Sequence, residues 1–418
     1  MNSFWRIFWL EFVAAVRSKS LAMLSAASLG WMFAAPLLFM GDGTADGARE
    51  VSLHYSLGGV AALLAVSLLA SATGAVARER AAKRLQLTLV RPVRHAVVAL
   101  GKTAALVSVG ALVLGLAAGV ELCRNDLSRP CRHELSPVMP SPREEAEKMY
   151  ESFMKDPETP AAVKRARKSV VLRLLAQRAV DNYLAVDTNE TVGLKFRVPE
   201  RLAGRGLGVR MRFTNMFDMR QDVRGTMRFG DATGTVSNIT QAVIEVPLSG
   251  GTAAAGEGTL SFANEGKAAI MLRPRKDVSL LVPADGFGMN LLRAYAELVA
   301  MLSLLVSFGV FLGAGLGRPV ALFTAVVALV VSEMSPSVLD QYPDELETDR
   351  LDAIGLAITR AAAGLTHPVS SLAPLERLSQ DACVEPREVA RALAANVVLA
   401  PLVFALLSAL VMPRKTDG

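Results

Sequence analysis

Along this chain, long unbroken apolar runs alternate with stretches in which apolar and polar residues take turns, and the two patterns divide it. Continuous apolar runs cover residues 21–40, 57–76, 96–120, 291–316, 320–331 and 392–412. A run of this length suits a helix that crosses a hydrocarbon core of ~30 Å, because a helix satisfies all its backbone groups within one segment. The run at 320–331 is the shortest and reaches spanning length only by drawing in Pro319 and Ser332 to Met334. The pattern predicts six transmembrane helices, three over residues 21–120 and three over residues 291–412.

Ahead of the first run, Phe4, Trp5, Phe8, Trp9, Phe12, Val13 and Val16 recur at helical spacing while Asn2, Arg6 and Arg17 fall off that stripe. Residues 1–20 are therefore expected to form a retained interface helix; an aromatic start and a long apolar run do not suit a cleaved signal. Residues 121–290 form the largest segment between runs. Its first part, 140–186, reads as helix, opened by Arg143-Glu-Glu-Ala-Glu-Lys148, interrupted at Pro157 and Pro160, and continued with Val170, Val171, Leu174 and Leu175 on one face. From Thr191 the period drops to two: Leu194, Phe196 and Val198 alternate with Lys195 and Arg197, and Val209, Met211 and Phe213 with Arg210 and Arg212. Further short runs at 227–229, 244–248, 260–262, 270–272 and 278–282, parted by turns such as Gly250-Gly251, predict an antiparallel β-sandwich over 191–283. The fold class is thus a polytopic α-helical membrane protein carrying an α+β domain outside the membrane, helices first and then the sandwich.

Composition agrees: 52% hydrophobic residues is too apolar for an ordinary soluble domain, and 20% charged is too many for a chain lying wholly in lipid. The distribution of bases gives the orientation. Residues 78–95 hold Arg78, Arg80, Lys83, Arg84, Arg91 and Arg94 against Glu79 alone, whereas 337–390 hold ten acids and four arginines. The first is then cytoplasmic and the second external, and the bases near both termini, including Arg414 and Lys415 in the tail 413–418, put both ends inside. The external domain would carry Cys123 and Cys131, with Cys383 on the same side. On an oxidising side Cys123 and Cys131 can close a ring through residues 124–130 or remain apart, since spacing does not give geometry. A metal site that adds His133 would bring one histidine to two cysteines. Glu297 and Glu333 fall near the outer ends of the fourth and fifth runs, where a carboxylate is expected to snorkel toward the headgroups.

Catalysis has no visible home. No nucleophile elbow, zinc-protease helix or paired Cys-x-x-Cys is present, and the four histidines are scattered. Gly101-Lys102-Thr103 ends like a nucleotide-binding P-loop, but Ala96 stands where its first glycine is needed, and Arg91-Pro-Val-Arg-His95 precedes it instead of a strand. Neither ATP binding, nor another cofactor, nor nucleic acid is implied.

The segment Ala77 to Lys102 carries the informative motif. Its charged start Glu79-Arg80, the short leucine-rich stretch Leu85, Leu87, Leu89, then Pro92-Val93-Arg94 and the Gly101-Lys102 at the next span resemble the permeases of the ABC-type-2 exporter class. This chain departs from many members at Ala82-Lys83 and Gln86, and its large external domain is similar only to a subgroup, through Val282-Pro283, Asp285-Gly286-Phe287 and Asn290-Leu-Leu-Arg293. The resemblance implies a multi-pass subunit of a bacterial inner membrane that forms the translocation pathway, pairs with a second permease copy or a related one, contacts membrane lipid, and couples to a separate cytosolic ATP-binding-cassette ATPase. It assigns the coupling contact to Glu79, Arg80, Arg84, Leu85, Leu87, Leu89, Pro92 and Arg94. Physically, a short helix with Leu85 and Leu89 on one face, stopped by Pro92, can seat in a groove of a cytosolic partner. Lys102 is then expected to snorkel to the inner headgroups and Gly101 to admit a close helix. The alternative from another class is a non-transporting envelope assembly or sensory protein that acts through the external domain.

Overall fold

The computed structural model describes residues 3–39, 47, 50–81, 94–125, 127, 129–156, 168–214, 221–240, 242–340, 355 and 373–411. By its contacts the chain divides into a helical unit, residues 1–129, 286–339 and 357–418, and a β-rich unit, residues 130–285 with 340–356.

In the first half of the helical unit, the extended backbone of Ser18 separates helix α1 (Ser3–Arg17) from α2 (Lys19–Leu38). A π-helical turn, Val51–Leu57, leads into α3 (Gly58–Ala81), and α4 runs from His95 to Arg124. The predicted interface stripe on α1 is divided between two faces. Phe4, Ile7, Phe8, Glu11, Phe12 and Ala15 turn at least partly inward, while Trp5, Trp9 and Val16 stay exposed. Inward positions at i, i+3, i+4, i+7 and i+11 are what a helix needs to lie along a neighbour, and α1 packs on α4.

The β-rich unit holds β1 (Pro130–Leu135), α5 (Pro142–Lys155), α6 (Lys168–Val180), β2 (Leu184–Val186), β3 (Thr191–Val198), β4 (Leu207–Arg212), β5 (Asp222–Phe229), β6 (Ala232–Ile239), β7 (Val243–Leu248), β8 (Gly256–Asn264), β9 (Ile270–Leu272), α7 (Pro274–Asp277) and β10 (Val278–Gly286). Strands β1-β10-β4-β7 form one sheet, β3-β8-β5-β6 a second, and β2-β9 a short ribbon. The two larger sheets share one core: Phe196 and Val198 of β3, Val209 and Met211 of β4, Phe262 of β8 and Leu280 of β10 are all buried in it. This is the sandwich that the alternation predicts, with the intervening Lys195 and Arg197 exposed. The buried Asn264 side chain donates to the carbonyls of Val186 and Ala268, 3.0 Å each, and so ties the ribbon to β8. Helix α5 starts at a capping box in which Ser141 and Glu144 satisfy each other's backbone N–H, with Pro142 at the first position. It packs on α6 through Ala146, Val171 and Leu175.

The expected helical stretch 140–186 is corrected at its end, where 184–186 form β2 instead. Its expected proline interruption, at Pro157 and Pro160, lies outside the described residues. β1 and β6 were not expected from the sequence. β6 is an edge strand that buries little beyond Ala232 and Val236, so its sequence carries almost no alternation.

The chain re-enters the helical unit in α8 (Phe287–Gly315), followed by α9 (Arg318–Asp340), α10 (Ala373–Ser379), α11 (Pro386–Ala392), a π-helical stretch Leu393–Leu399 and α12 (Ala400–Val411). Helix α8 is the central element, packed on α3, α4 and α12. Leu68 of α3, Leu106 of α4 and Leu298, Leu302 and Leu305 of α8 belong to one buried cluster. Outward positions are large and apolar, among them Leu37 and Leu410, 81% and 71% exposed, which is sensible only where lipid covers them. Among the described residues five helices are long and apolar enough to cross a membrane: 19–38, 51–79, 95–124, 287–315 and 386–411. The chain is therefore a membrane protein with an attached β-sheet-rich unit. The expected crossing at 320–331 falls in α9, whose apolar part, Arg318–Val330, is shorter than the others.

Candidate functional site

Charged side chains gather at two levels of the helical unit, and α4 passes through both. Near its start, Gly101 faces α1 so closely that an added Cβ would lie 2.7 Å from Ile7 Cγ2. That approach lets Lys102, only 2% exposed, reach across. Its Nζ donates to Glu79 Oε1 of α3 at 2.8 Å and to Glu11 Oε1 of α1. Three helices are thereby joined by one ammonium held between two carboxylates, a charge-assisted arrangement that a buried lysine requires. The expectation that Lys102 snorkels to headgroups is corrected: two acids meet it inside the protein, so it has no need to reach water. The expectation for Gly101, close helix approach, matches the geometry.

Among the predicted coupling residues, Glu79 belongs to this knot. Arg94 is exposed and caps the start of α4, its carbonyl accepting from the N–H groups of Val97 and Val98 at 2.9 and 3.3 Å. Arg80 lies in the last turn of α3. Arg84, Leu85, Leu87, Leu89 and Pro92 lie outside the described residues, as do Arg414 and Lys415.

At the other end of α4, Glu121 is fully buried. It accepts hydrogen bonds from Ser52 of the first π-turn at 2.9 and 3.1 Å and from Asn125 Nδ2 at 3.1 Å, with Arg124 at 3.4 Å. Arg124 also donates to the Met32 carbonyl of α2 at 3.3 Å and lies over the Phe33 ring. From Lys102 to Glu121 is nineteen residues, about 28 Å at 1.5 Å per residue. The two polar knots thus bracket an apolar stretch of α4 about as long as a hydrocarbon core is thick.

The cysteines correct another expectation. Cys123 is a free, exposed thiol within the last turns of α4, while Cys131 on β1 is buried and disulfide-bonded. The Cys123–Cys131 ring does not form, because the helix continues past Cys123 and holds its side chain on the exposed face. Among the described residues no three His, Cys, Asp or Glu side chains come together as metal ligands.

Glu11, Glu121 and the Arg377–Glu388 pair were not singled out from sequence. A signal existed for Glu11, since an acid on the inward stripe of an otherwise apolar helix needs a partner. Nothing in the sequence names Lys102 as that partner, 91 positions away. Glu333 is in α9, its side chain outside the described residues; Glu297 is placed in the third turn of α8. No known protein family, curated protein or solved structure matches this chain.

Proposed function

We propose that this chain is the membrane-spanning permease subunit of an ATP-binding-cassette exporter, with six crossings, both termini in the cytoplasm of a bacterial cell, and a separate ATPase docked on residues 78–95. The observation that carries it is the Lys102 knot. Glu79 and Lys102 stand at opposite sides of the loop that bears the family-like motif, and the knot joins both sides to each other and to α1. A push on the loop from a cytosolic partner is then delivered to α1, α3 and α4 together. Helix α8, packed on α3 and α4, carries the displacement into the centre of the unit. Glu121 and its partners hold the far end of α4, so the same helix is gripped at both levels. The cycle of ATP binding and hydrolysis belongs to the partner; this chain supplies the pathway, in a pair with a second copy or a related permease.

The test is to solubilise the tagged full-length chain in mild detergent and ask whether a Walker-motif ATPase co-purifies, with a Leu85→Asp/Leu89→Asp double variant alongside. An ATPase present with the wild type and absent with the variant supports the proposal. A folded, monodisperse preparation that brings down no ATPase refutes it and turns attention to an envelope role of the β-rich unit.

A further inference from the structure

From Lys164 to Val180 the sequence holds six bases, Lys164, Arg165, Arg167, Lys168, Arg173 and Arg178, and no acid. The described part of that stretch is α6, whose Val171, Leu175 and Ala179 are buried, the first two in a cluster with Ala146 of α5. Its opposite side carries Val170, Leu174 and Arg178, one every fourth residue and all exposed. Leu174 is 62% exposed and Val170 43%. In water a helix gains nothing from aliphatic side chains on that side. Lying on a bilayer surface, it buries them among the headgroups with its bases alongside.

The bases of α6 are not matched by acids of the β-rich unit. Among the described residues no carboxylate meets Arg178, and the Lys168 ammonium stands over the Tyr150 ring, 5.5 Å from its centroid. The acids nearest in sequence are already taken. Asp181, which follows α6, pairs with Lys276 at 2.7 Å. On α5, Glu144 closes the capping box, Glu145 meets Arg275 at 3.1 Å and Glu147 meets Arg143 at 3.1 Å. Glu151 is left, and the exposed Lys148 and Lys155 of the same helix outweigh it. The helix pair therefore presents an excess of positive charge around two exposed aliphatic side chains.

We propose that α6 docks on the anionic phospholipid surface of the bilayer that holds the chain's own membrane helices. Val170 and Leu174 enter the headgroup layer, Arg178 pairs with lipid phosphate, and the other bases of the stretch add attraction, about fivefold in docking for each. The β-rich unit and the membrane helices are one chain, so the bilayer is present at high effective concentration and the contact need only be weak. An acidic protein segment is the rival occupant. Two aliphatic side chains bury too little area to hold a freely diffusing partner of that kind. The inference needs only that the chain is a membrane protein and is independent of the exporter proposal.

The experiment uses full-length protein in nanodiscs of phosphatidylcholine alone and of phosphatidylcholine with phosphatidylglycerol in equal parts. Cys123→Ser removes the free thiol, and Gln177→Cys, on the exposed side of α6, carries a fluorophore attached under non-reducing conditions. Docking is read as quenching by a headgroup spin-labelled lipid. The ratio of docked to free α6 should be at least about fivefold higher in the anionic discs, and high salt should remove the difference. Arg173→Gln/Arg178→Gln should lower that ratio by about tenfold or more, while lysine at both positions keeps it within about threefold. Equal quenching in the two lipids, or an unchanged ratio in the glutamine variant, overturns the docking. Quenching absent from both discs overturns it too and makes an acidic protein segment the occupant to seek. The same lipid dependence from a fluorophore at Glu257→Cys, on the exposed side of β8, assigns the contact to the whole unit and overturns its assignment to α6.

Discussion

A lysine held to 2% exposure persists only where carboxylates meet its ammonium, so Lys102 is the residue on which the inner knot depends. Removing either acid leaves the other in place, whereas removing the lysine leaves Glu11 and Glu79 facing each other. Lys102→Met is therefore expected to lower stability by roughly 1–3 kcal/mol, less than a fully buried pair would lose because both acids are partly exposed. Glu11→Gln and Glu79→Gln should each cost less, and the ranking is checked by the temperature at which detergent-solubilised variants lose monodispersity. Equal effects from all three would deny the shared arrangement. The sequence made Lys102 visible as a base at a membrane entry, and a snorkelling lysine is the ordinary outcome there. Its burial depends on α1 folding back along α4, a contact between segments 91 positions apart that no local pattern encodes.

Among the elements, helix spacing is set where glycines face backbone. An added Cβ at Gly313 would lie 2.4 Å from the Thr73 carbonyl oxygen of α3, which cannot move without shifting the helix. At Gly110 the obstacle is the end of the Leu68 side chain, also close at 2.5 Å but free to change rotamer. Gly313→Ala should thus destabilise by about 1–3 kcal/mol and Gly110→Ala by clearly less, measured by the same thermal assay. In the β-rich unit Asp277, 3% exposed at its side chain, accepts from the Arg273 backbone N–H and Nε at 2.9 Å and from Nη2 at 3.0 Å, fixing the turn from β9 into β10. Asp277→Ala should cost about 1–3 kcal/mol by leaving those donors unmet, seen as faster amide exchange along β10; unchanged protection there would show that the turn does not need the carboxylate. Strands with one buried face, such as β3 and β4, were plain in the sequence. β1, β2 and β6 were not, because they are short or border the sheet and bury few side chains. The five membrane-length helices among the described residues were equally plain, each falling on one of the six expected runs. The ends of helices were less so: α4 runs past Cys123, and that extra turn is what removes the expected Cys123–Cys131 ring.

Across the whole molecule, the proposed force-receiving role draws on three features of the helical unit: one knot at the start of α4, a second about 28 Å away at its end, and α8 packed on α3, α4 and α12. The most direct measurement of the central claim is site-specific photocrosslinking in intact cells from a reactive side chain placed at Leu87, in the middle of the loop between Glu79 and Lys102. The prediction is a crosslink to a Walker-motif ATPase, abolished by Leu85→Asp/Leu89→Asp and diminished by Lys102→Met. A crosslink only to lipid, or to no protein, from a correctly inserted chain would contradict it.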